Sequence, residues 1–116
     1  MIHLKDMGWA AGFLEGEGYF GMNTGSPLIT AFQLDQEPLR YLKDIFKLGT
    51  LRGPYKTALG KPVYCYKVCG ICAVQIMLTI FSLMSLRRKE KIKNIIEKWK
   101  MGKRKPYQTR KTKEDI

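Results

Sequence analysis

The sequence lacks the features that mark secreted and membrane proteins. Its three cysteines, an odd number, all lie between Cys65 and Cys72, so they do not form a disulfide framework and are typical of a reducing environment. The N-terminus has no basic region, apolar core and cleavage site of a secretory signal. The longest apolar run, residues 71–84, is shorter than the roughly 20 residues that span a bilayer. We therefore expect an intracellular location and no membrane partner.

Acidic residues are also scarce. Ten Asp and Glu residues stand against 21 Lys and Arg, which gives a formal net charge of +11. A field of this sign attracts polyanions, so nucleic acid is the first partner to consider. The chain has 116 residues, of which 45% are hydrophobic. That is enough for one compact core without disulfides or a structural metal.

Histidine is nearly absent, because His3 near the N-terminus is the only one. Zinc is disfavoured, since no second cysteine pair or nearby histidine completes a tetrahedral site. The segment Cys69-Gly70-Ile71-Cys72 follows a predicted strand and begins a predicted helix, the context of a thioredoxin-like redox pair. That alternative leaves the positive charge unexplained and lacks a preceding βαβ unit. We expect buried or strand-facing thiols and no organic cofactor.

Helix and strand patterns alternate in the first third of the chain. Asp6 is expected to cap a helix that ends near Leu14. Strands at residues 19–23 and 28–34 then form a hairpin with one apolar side. The residues expected on that side are Phe20, Met22, Phe32 and Leu34.

A second helix and hairpin follow. Asp35 is expected to cap a helix that ends before Gly49. Two strands, at residues 50–52 and 63–68, form the second hairpin, and residues 71–84 form a third, buried helix.

The last predicted helix begins after Ser85 and ends near Trp99, with no helical extension. We expect a single domain over residues 1–100 and a flexible basic tail over residues 101–116. The order of elements predicts an α+β fold, in which helices cover one face of a four-stranded, saddle-like antiparallel sheet.

The uncovered face of this sheet is expected to be polar and basic. Such a face can lie along a DNA groove, where polar side chains meet base edges and cations meet phosphates. An ordinary solvated sheet face is the alternative. The candidate DNA-binding residues are Tyr19, Asn23, Gln33, Arg52 and Lys67 in the strands, with Ser26, Tyr55, Lys56 and Lys61 in connecting loops.

Small residues line one face of the first helix. Gly8, Gly12 and Gly16 recur every four residues, with Ala11 beside them, so another backbone can approach closely. Glycine costs about 1 kcal/mol relative to alanine in a helix interior, and close packing against a second helix compensates that cost. The spacing predicts a dimer contact.

Glu17 follows this helix, so two such helices packed together bring two Glu17 carboxylates close to each other. Like charges repel unless a hard dication such as Mg²⁺ lies between them. A metal there can activate water and stabilise the departing oxygen of a phosphodiester. The simpler alternative is that Glu15 and Glu17 are exposed acids at a helix end.

The nine residues 10–18, Ala-Ala-Gly-Phe-Leu-Glu-Gly-Glu-Gly, closely resemble the motif of the LAGLIDADG homing endonucleases. The resemblance extends over about residues 5–100 and through the family's αββαββα order. With one motif per chain, it implies a homodimer that makes a staggered double-strand break in a long, pseudo-palindromic DNA site.

The resemblance also assigns roles near the motif. The second acid, Glu17, and the carbonyl of Gly16 are implied metal ligands. The resemblance implies a structural role for the first acid, Glu15. Mg²⁺ or Mn²⁺ would support cleavage, and Ca²⁺ would be a non-catalytic substitute. The implied dimer interface comprises Gly8, Ala11, Gly12, Glu15 and Gly16.

Two further segments match the family. Phe32-Gln33-Leu34-Asp35-Gln36, followed by Arg40, implies that Gln36 and Arg40 position water and the scissile phosphate. Arg87 is the best match to a basic residue, usually lysine, before the last helix. It would act through charge, because arginine keeps its proton near neutral pH. Arg88 and Lys89 are alternatives for this role or grip DNA phosphates.

Related domains suggest two other functions. Some are DNA-binding regulators, typically with the acidic position eroded, and others are maturases that bind intron RNA. The presence of Glu17, Gln36 and Arg40 favours an active nuclease. Both acids are Glu where the namesake motif has Asp, and the first hairpin loop is short, so a smaller DNA footprint is expected.

Overall fold

The computed structural model describes the backbone of residues 2–114 and the side chains of residues 2–102. The elements are, in order, α1 (Leu4–Glu17), β1 (Gly18–Asn23), β2 (Ser26–Gln33), α2 (Glu37–Phe46), β3 (Thr50–Lys56), β4 (Pro62–Cys69), α3 (Ile71–Ile80), a short 3-10 helix (Phe81–Leu83) and α4 (Leu86–Glu114). The predicted α+β fold and its αββαββα order are confirmed.

The four strands form one antiparallel sheet with the order β1-β2-β4-β3. Phe20 pairs with Ile29, and Ile29 pairs in turn with Val68, so these side chains share one face. That face forms the core with the helices, and its buried helical partners include Leu14, Leu39, Leu42, Ile76, Met77, Ile80 and Ile92. The opposite face, here called the outer face, carries Tyr19, Thr30, Phe32, Arg52, Cys65 and Lys67.

The prediction for the facing of β2 was wrong. Phe32 and Leu34, expected in the core, are 53% and 58% exposed, whereas Ile29 and Ala31 are buried. Apolar residues occur at both odd and even positions of this strand, so alternation alone does not choose a face. The pairing of Ile29 with Phe20 and Val68 chooses it, because a shift of one residue turns every side chain to the other face.

Asp6 and Asp35 were both expected to cap helices, and the structure bears out the contact of Asp35 alone. Asp6 is not the cap of α1, which begins at Leu4 after His3. Instead, Asp6 accepts a hydrogen bond from the Tyr41 hydroxyl and so ties α2 to α1. Asp35 does accept from the first amide of α2, that of Glu37, at 3.0 Å.

The helices after the sheet differ in length from the prediction. The expected third helix ends at Ile80 and continues as the 3-10 helix. α4 extends past Trp99 to Glu114, so the expected end near Trp99 was wrong. The side chains from residue 103 onward lie outside the described residues, so the expected flexibility of the tail stays a prediction. None of the helices in the described part of the chain is both long and apolar enough to cross a membrane.

Candidate active site and nucleic-acid interface

The glycine face of α1 is open. A Cβ built on Gly8, Gly12 or Gly16 meets nothing within 4 Å, and Leu4, one turn earlier, is 84% exposed. Ala11 was expected on this face but is 2% exposed and belongs to the core. Ala11 lies on the buried side of α1 rather than on the side of the three glycines. The open glycine face therefore comprises Gly8, Gly12 and Gly16.

Glu17 is the last residue of α1, and its side chain is exposed at the point where β1 begins. The junction is tight, because a Cβ on Gly18 would lie 2.7 Å from the Leu14 carbonyl oxygen. Nε2 of Gln33, at the end of β2, donates to Oε2 of Glu17 at 3.1 Å. Gln33 was expected on the DNA-facing side, but it lies on the same face of β2 as Ile29 and Ala31 and contacts the end of α1.

The structure does not bring Gln36 and Arg40 to Glu17. Gln36 is the residue before α2 and is half-buried. Arg40 is exposed on α2 in a groove that also contains Glu37 and Asp44. Within residues 2–102, no hydrogen bond or ion pair joins either side chain to Glu17. The glutamine beside Glu17 is Gln33.

Glu15 is held by the start of α4. Its Oε1 accepts from the Ser85 amide at 2.8 Å and its Oε2 from the Ser85 hydroxyl at 2.9 Å. Nη2 of Arg88 donates to the Glu15 backbone carbonyl at 3.0 Å. These hydrogen bonds join the end of α1 to the N-terminus of α4.

The same contacts lower the pKa of Glu15. The largest cause is the hydrogen bond from the Ser85 amide, followed among the lowering effects by the Ser85 hydroxyl and the charges of Arg88 and Arg87. Partial burial opposes the shift. Glu15 was expected in the dimer interface, but its carboxylate oxygens bind groups of its own chain, in keeping with the structural role that the motif implied.

The three consecutive cations of α4 point in different directions, because successive residues of a helix are about 100° apart. Arg88 is 13% exposed, lies 3.8 Å from the Glu15 carboxylate and covers the Phe20 ring at 5.2 Å. Lys89 lies over the Phe81 ring at 5.9 Å. Both side chains thus have contacts within the protomer, and their expected contact with DNA stays a prediction. Arg87 is exposed and lies beside Tyr19 in a groove between α4 and β1.

Rows of side chains cross the outer face. One row runs through Tyr19, Thr30, Lys67 and Thr50, and a second through Phe32, Cys65 and Arg52. None of the four strands contains Asp or Glu, and the sequence has no acid between residues 45 and 89. The face therefore combines the cations Arg52 and Lys67 with polar side chains and with the apolar side chain of Phe32, which lies on a central strand.

The remaining candidates lie at the ends of the hairpins. Ser26, Tyr55 and Lys56 are strand residues rather than loop residues, whereas Lys61 lies in the loop between β3 and β4. Ser26 pairs with Asn23 at the turn of the first hairpin. A register shift between Arg52 and Tyr55 adds one residue to β3, and this bulge returns Tyr55 to the face of Arg52.

Burial raises the pKa of the Cys65 thiol on the outer face, and the nearby charges of Lys67 and Arg52 oppose that shift. Cys69 is exposed and Cys72 is half-buried. All three thiols are free, in agreement with the absence of a disulfide framework.

The described part of the chain has no closed metal site. Among the described residues, no group of three or more His, Cys, Asp or Glu side chains comes together. Glu17 is the exposed carboxylate beside the open glycine face, and the carbonyl of Gly16 lies in the last turn of α1, where helix carbonyls have no intrahelical partner.

Comparisons with known proteins identify the fold. No protein-family model and no curated protein sequence matches the chain. The archaeal intron-encoded homing endonuclease I-Vdi141I, solved with DNA, has a TM-score of 0.59 at 18% identity, over 76% of this chain and 63% of that one. The homing endonuclease I-CvuI with its target and Ca has a TM-score of 0.65 at 18% identity, over 84% of this chain and 69% of that one.

A second structure of I-CvuI, on the I-CreI target with Mg and uncleaved DNA, gives a TM-score of 0.63 at 17% identity, again over 84% and 69% of the two chains. The present chain thus spans less than two thirds of the length of I-Vdi141I. At these identities the likeness establishes the fold.

Proposed function

We propose that this chain, which has the homing endonuclease fold, is a LAGLIDADG-type endonuclease that cuts both strands of a pseudo-palindromic DNA site as a metal-dependent homodimer. The observation that carries the proposal is the juxtaposition at the end of α1. An exposed carboxylate, Glu17, adjoins a helix face that nothing in the chain fills within 4 Å of its glycines.

The open glycine face supports pairing with a second copy. Gly8, Gly12 and Gly16 lower the stability of α1 by about 1 kcal/mol each relative to alanine, and no contact within the chain offsets that loss. A second α1 lying against this face would offset it through close backbone packing. Such a pair would set the two Glu17 carboxylates side by side.

The donor chemistry fits a hard divalent cation. The residues that would hold it are Glu17 and, through its carbonyl, Gly16, with the same two residues of a second copy. Carboxylate and carbonyl oxygens suit Mg²⁺, Mn²⁺ and Ca²⁺. A cation bound there supplies Lewis acidity for phosphodiester hydrolysis. Gln33 holds one Glu17 oxygen at 3.1 Å and so orients the carboxylate.

The outer face supports duplex DNA as the substrate. Its strands contain no acid, and Arg52 and Lys67 lie in adjacent rows across it. Lysine and arginine contact phosphates, whereas polar side chains such as Asn23 can meet base edges. Phe32, exposed at the centre, offers an apolar surface of the kind that packs against a thymine methyl.

The test uses the uninterrupted DNA made by joining the sequences that flank the chain's own gene. The purified protein is incubated with this duplex in Mg²⁺, Mn²⁺, Ca²⁺ or a chelator, and cleavage and binding are measured separately. We expect double-strand cleavage in Mg²⁺ and Mn²⁺, and binding alone in Ca²⁺. Glu17→Gln should abolish cleavage and keep binding. Glu97→Gln, an exposed glutamate on α4, is the matched control and should cut normally.

Other outcomes identify the other functions. Binding without cleavage in every metal would indicate a DNA-binding regulator, and the proposal of a nuclease would be wrong. Preferential binding of RNA from an adjoining intron would indicate a maturase. Equal cleavage by Glu17→Gln and the unchanged chain would remove Glu17 from the site.

A further inference from the structure

A groove of about 430 Å³ separates α4 from β1, the edge strand of the sheet. Tyr19 lines it on the β1 side, and Arg87, Lys91 and Asn94 line it on the side of α4. These four residues define what we call the α4 groove. None of the roles assigned above involves Lys91 or Asn94.

The polar side chains that line the α4 groove lie on one face of α4. Arg87, Lys91 and Asn94 are spaced at i, i+4 and i+7, which sets them on one face. All three are exposed. Glu90 also borders the groove. The ion pair found among the described residues joins Arg88 to Glu15, so the Lys91 ammonium has no carboxylate paired with it there, whereas the charge of Arg87 acts on Glu15.

The α4 groove continues the outer face around the edge of the sheet. Tyr19 belongs both to the groove and to the row that crosses the sheet through Thr30 and Lys67. Its ring lies along β1 over Gly21, where an added Cβ would be 2.5 Å from the Tyr19 hydroxyl oxygen. A duplex lying on the outer face would thus present a sugar-phosphate strand to α4 at this edge.

We propose that the α4 groove binds a phosphate of the DNA backbone, with the Lys91 ammonium and the Asn94 amide as donors. This inference rests on the proposed function, because it supposes duplex DNA on the outer face. Lysine and asparagine are common phosphate donors, and such contacts fix the register of a protein on DNA. Lys91 contributes a charge, whereas Asn94 contributes a neutral hydrogen bond, so the two contacts respond differently to salt.

The same helix provides a matched control. Lys93 is exposed on α4 but lines a different groove, with Leu78 and Phe81 of the α3 side. Lys91→Ala and Lys93→Ala remove the same charge from the same helix and leave the net charge of the two variants equal. A general electrostatic effect would therefore change both variants alike.

The experiment measures the affinity of each variant for a labelled, mixed-sequence DNA duplex several helical turns long, in Ca²⁺ over a series of salt concentrations. Each phosphate contact made by a cation contributes about one unit to the slope of log affinity against log salt. Because the proposed dimer has two such grooves, we expect Lys91→Ala to make the slope shallower by about one unit per bound subunit, or about two for the dimer, and Lys93→Ala to keep it. Asn94→Ala should weaken binding several-fold with an unchanged slope.

Equal slopes for Lys91→Ala and Lys93→Ala, or equal affinities for Asn94→Ala and the unchanged chain, would overturn this inference and leave the proposed function intact. A failure of the unchanged chain to bind the duplex would instead overturn the proposed function. Circular dichroism of each variant separates loss of a phosphate contact from loss of the fold.

Discussion

Two carboxylates near the end of α1 have different surroundings. Glu15 binds the amide and hydroxyl of Ser85, whereas Glu17 is exposed and accepts from Gln33. The first acid therefore fixes the helix end against α4, and the second remains accessible to ligands from outside the chain. A change at Glu15 should act on stability, and a change at Glu17 on chemistry.

This difference predicts a pH effect. Because hydrogen bonds from Ser85 lower the pKa of Glu15 from its ordinary value of 4.5, the folded chain binds fewer protons at this site than the unfolded chain. The resulting stabilisation is complete above the unfolded pKa and is lost as pH falls through the folded value. We expect Glu15→Gln to be less stable than the unchanged chain at neutral pH, and to show a smaller loss of stability on acidification.

Urea unfolding at a series of pH values, followed by circular dichroism, measures both effects. Glu97→Gln, which removes an exposed carboxylate from α4, should keep the pH dependence of the unchanged chain. Parallel stability curves for Glu15→Gln and the unchanged chain would show that the Ser85 contacts do not stabilise the fold.

Individual site residues were predictable to different degrees. The motif placed Glu17 at the exposed end of α1, as the structure has it, and Gly18 follows it where a Cβ would lie 2.7 Å from the Leu14 carbonyl oxygen. The resemblance assigned the position near the active site to Gln36 and DNA contact to Gln33, whereas in the structure Gln33 is the glutamine that contacts Glu17. Which of the two reaches Glu17 depends on the face to which the end of β2 turns, and that is decided by pairing with β1 and β4.

At the scale of elements, local signals predicted the helices better than the strand faces. α2 has Pro38 in its first turn and an Asp35 carboxylate that accepts from its first free amide, and both signals are local. The facing of β2 is set by contacts between distant segments. The length of α4 escaped prediction for another reason, because the apolar periodicity ends near Trp99 and the helix continues beyond it.

The open face of α1 leads to a prediction about assembly. In the isolated protomer a Cβ on Gly12 meets nothing within 4 Å, so Gly12→Ala should raise the free energy of unfolding by about 1 kcal/mol through helix propensity. In the proposed dimer the same methyl group would separate two closely packed backbones. Gly12→Ala should therefore be more stable as a monomer and weaker as a dimer.

Urea unfolding at low protein concentration and sedimentation velocity measure these two effects. Gly102→Ala is the matched control, since Gly102 also lies in a helix and its added Cβ also meets nothing within 4 Å. It should gain stability without a change in association. Undiminished association of Gly12→Ala would exclude the glycine face as the dimer contact.

At the scale of the whole molecule, the two faces of the sheet differ in charge. The outer face has no acid in its strands, and the acidic residues of the described part lie on or beside α1, α2 and α4. Of the 21 Lys and Arg residues, three lie in the strands and 13 lie between residues 87 and 113, so the attraction of a polyanion comes from the C-terminal part of the chain as well as from the sheet. The helices cover the opposite face of the sheet, which forms the core.

The chain supplies one exposed Glu17 at the end of one open helix face, so the proposed active site requires two chains. At protein concentrations below the dimer dissociation constant, the cleavage rate should rise more steeply than the first power of concentration. Joining two copies through a flexible linker makes their pairing intramolecular, with an effective concentration in the millimolar range for a short linker. The joined protein should cut at lower concentrations, with a rate that follows the first power. Joined copies that both carry Glu17→Gln serve as the inactive control, and a first-power dependence for the unjoined chain, bound to DNA as a monomer, would rule out a site shared between two copies.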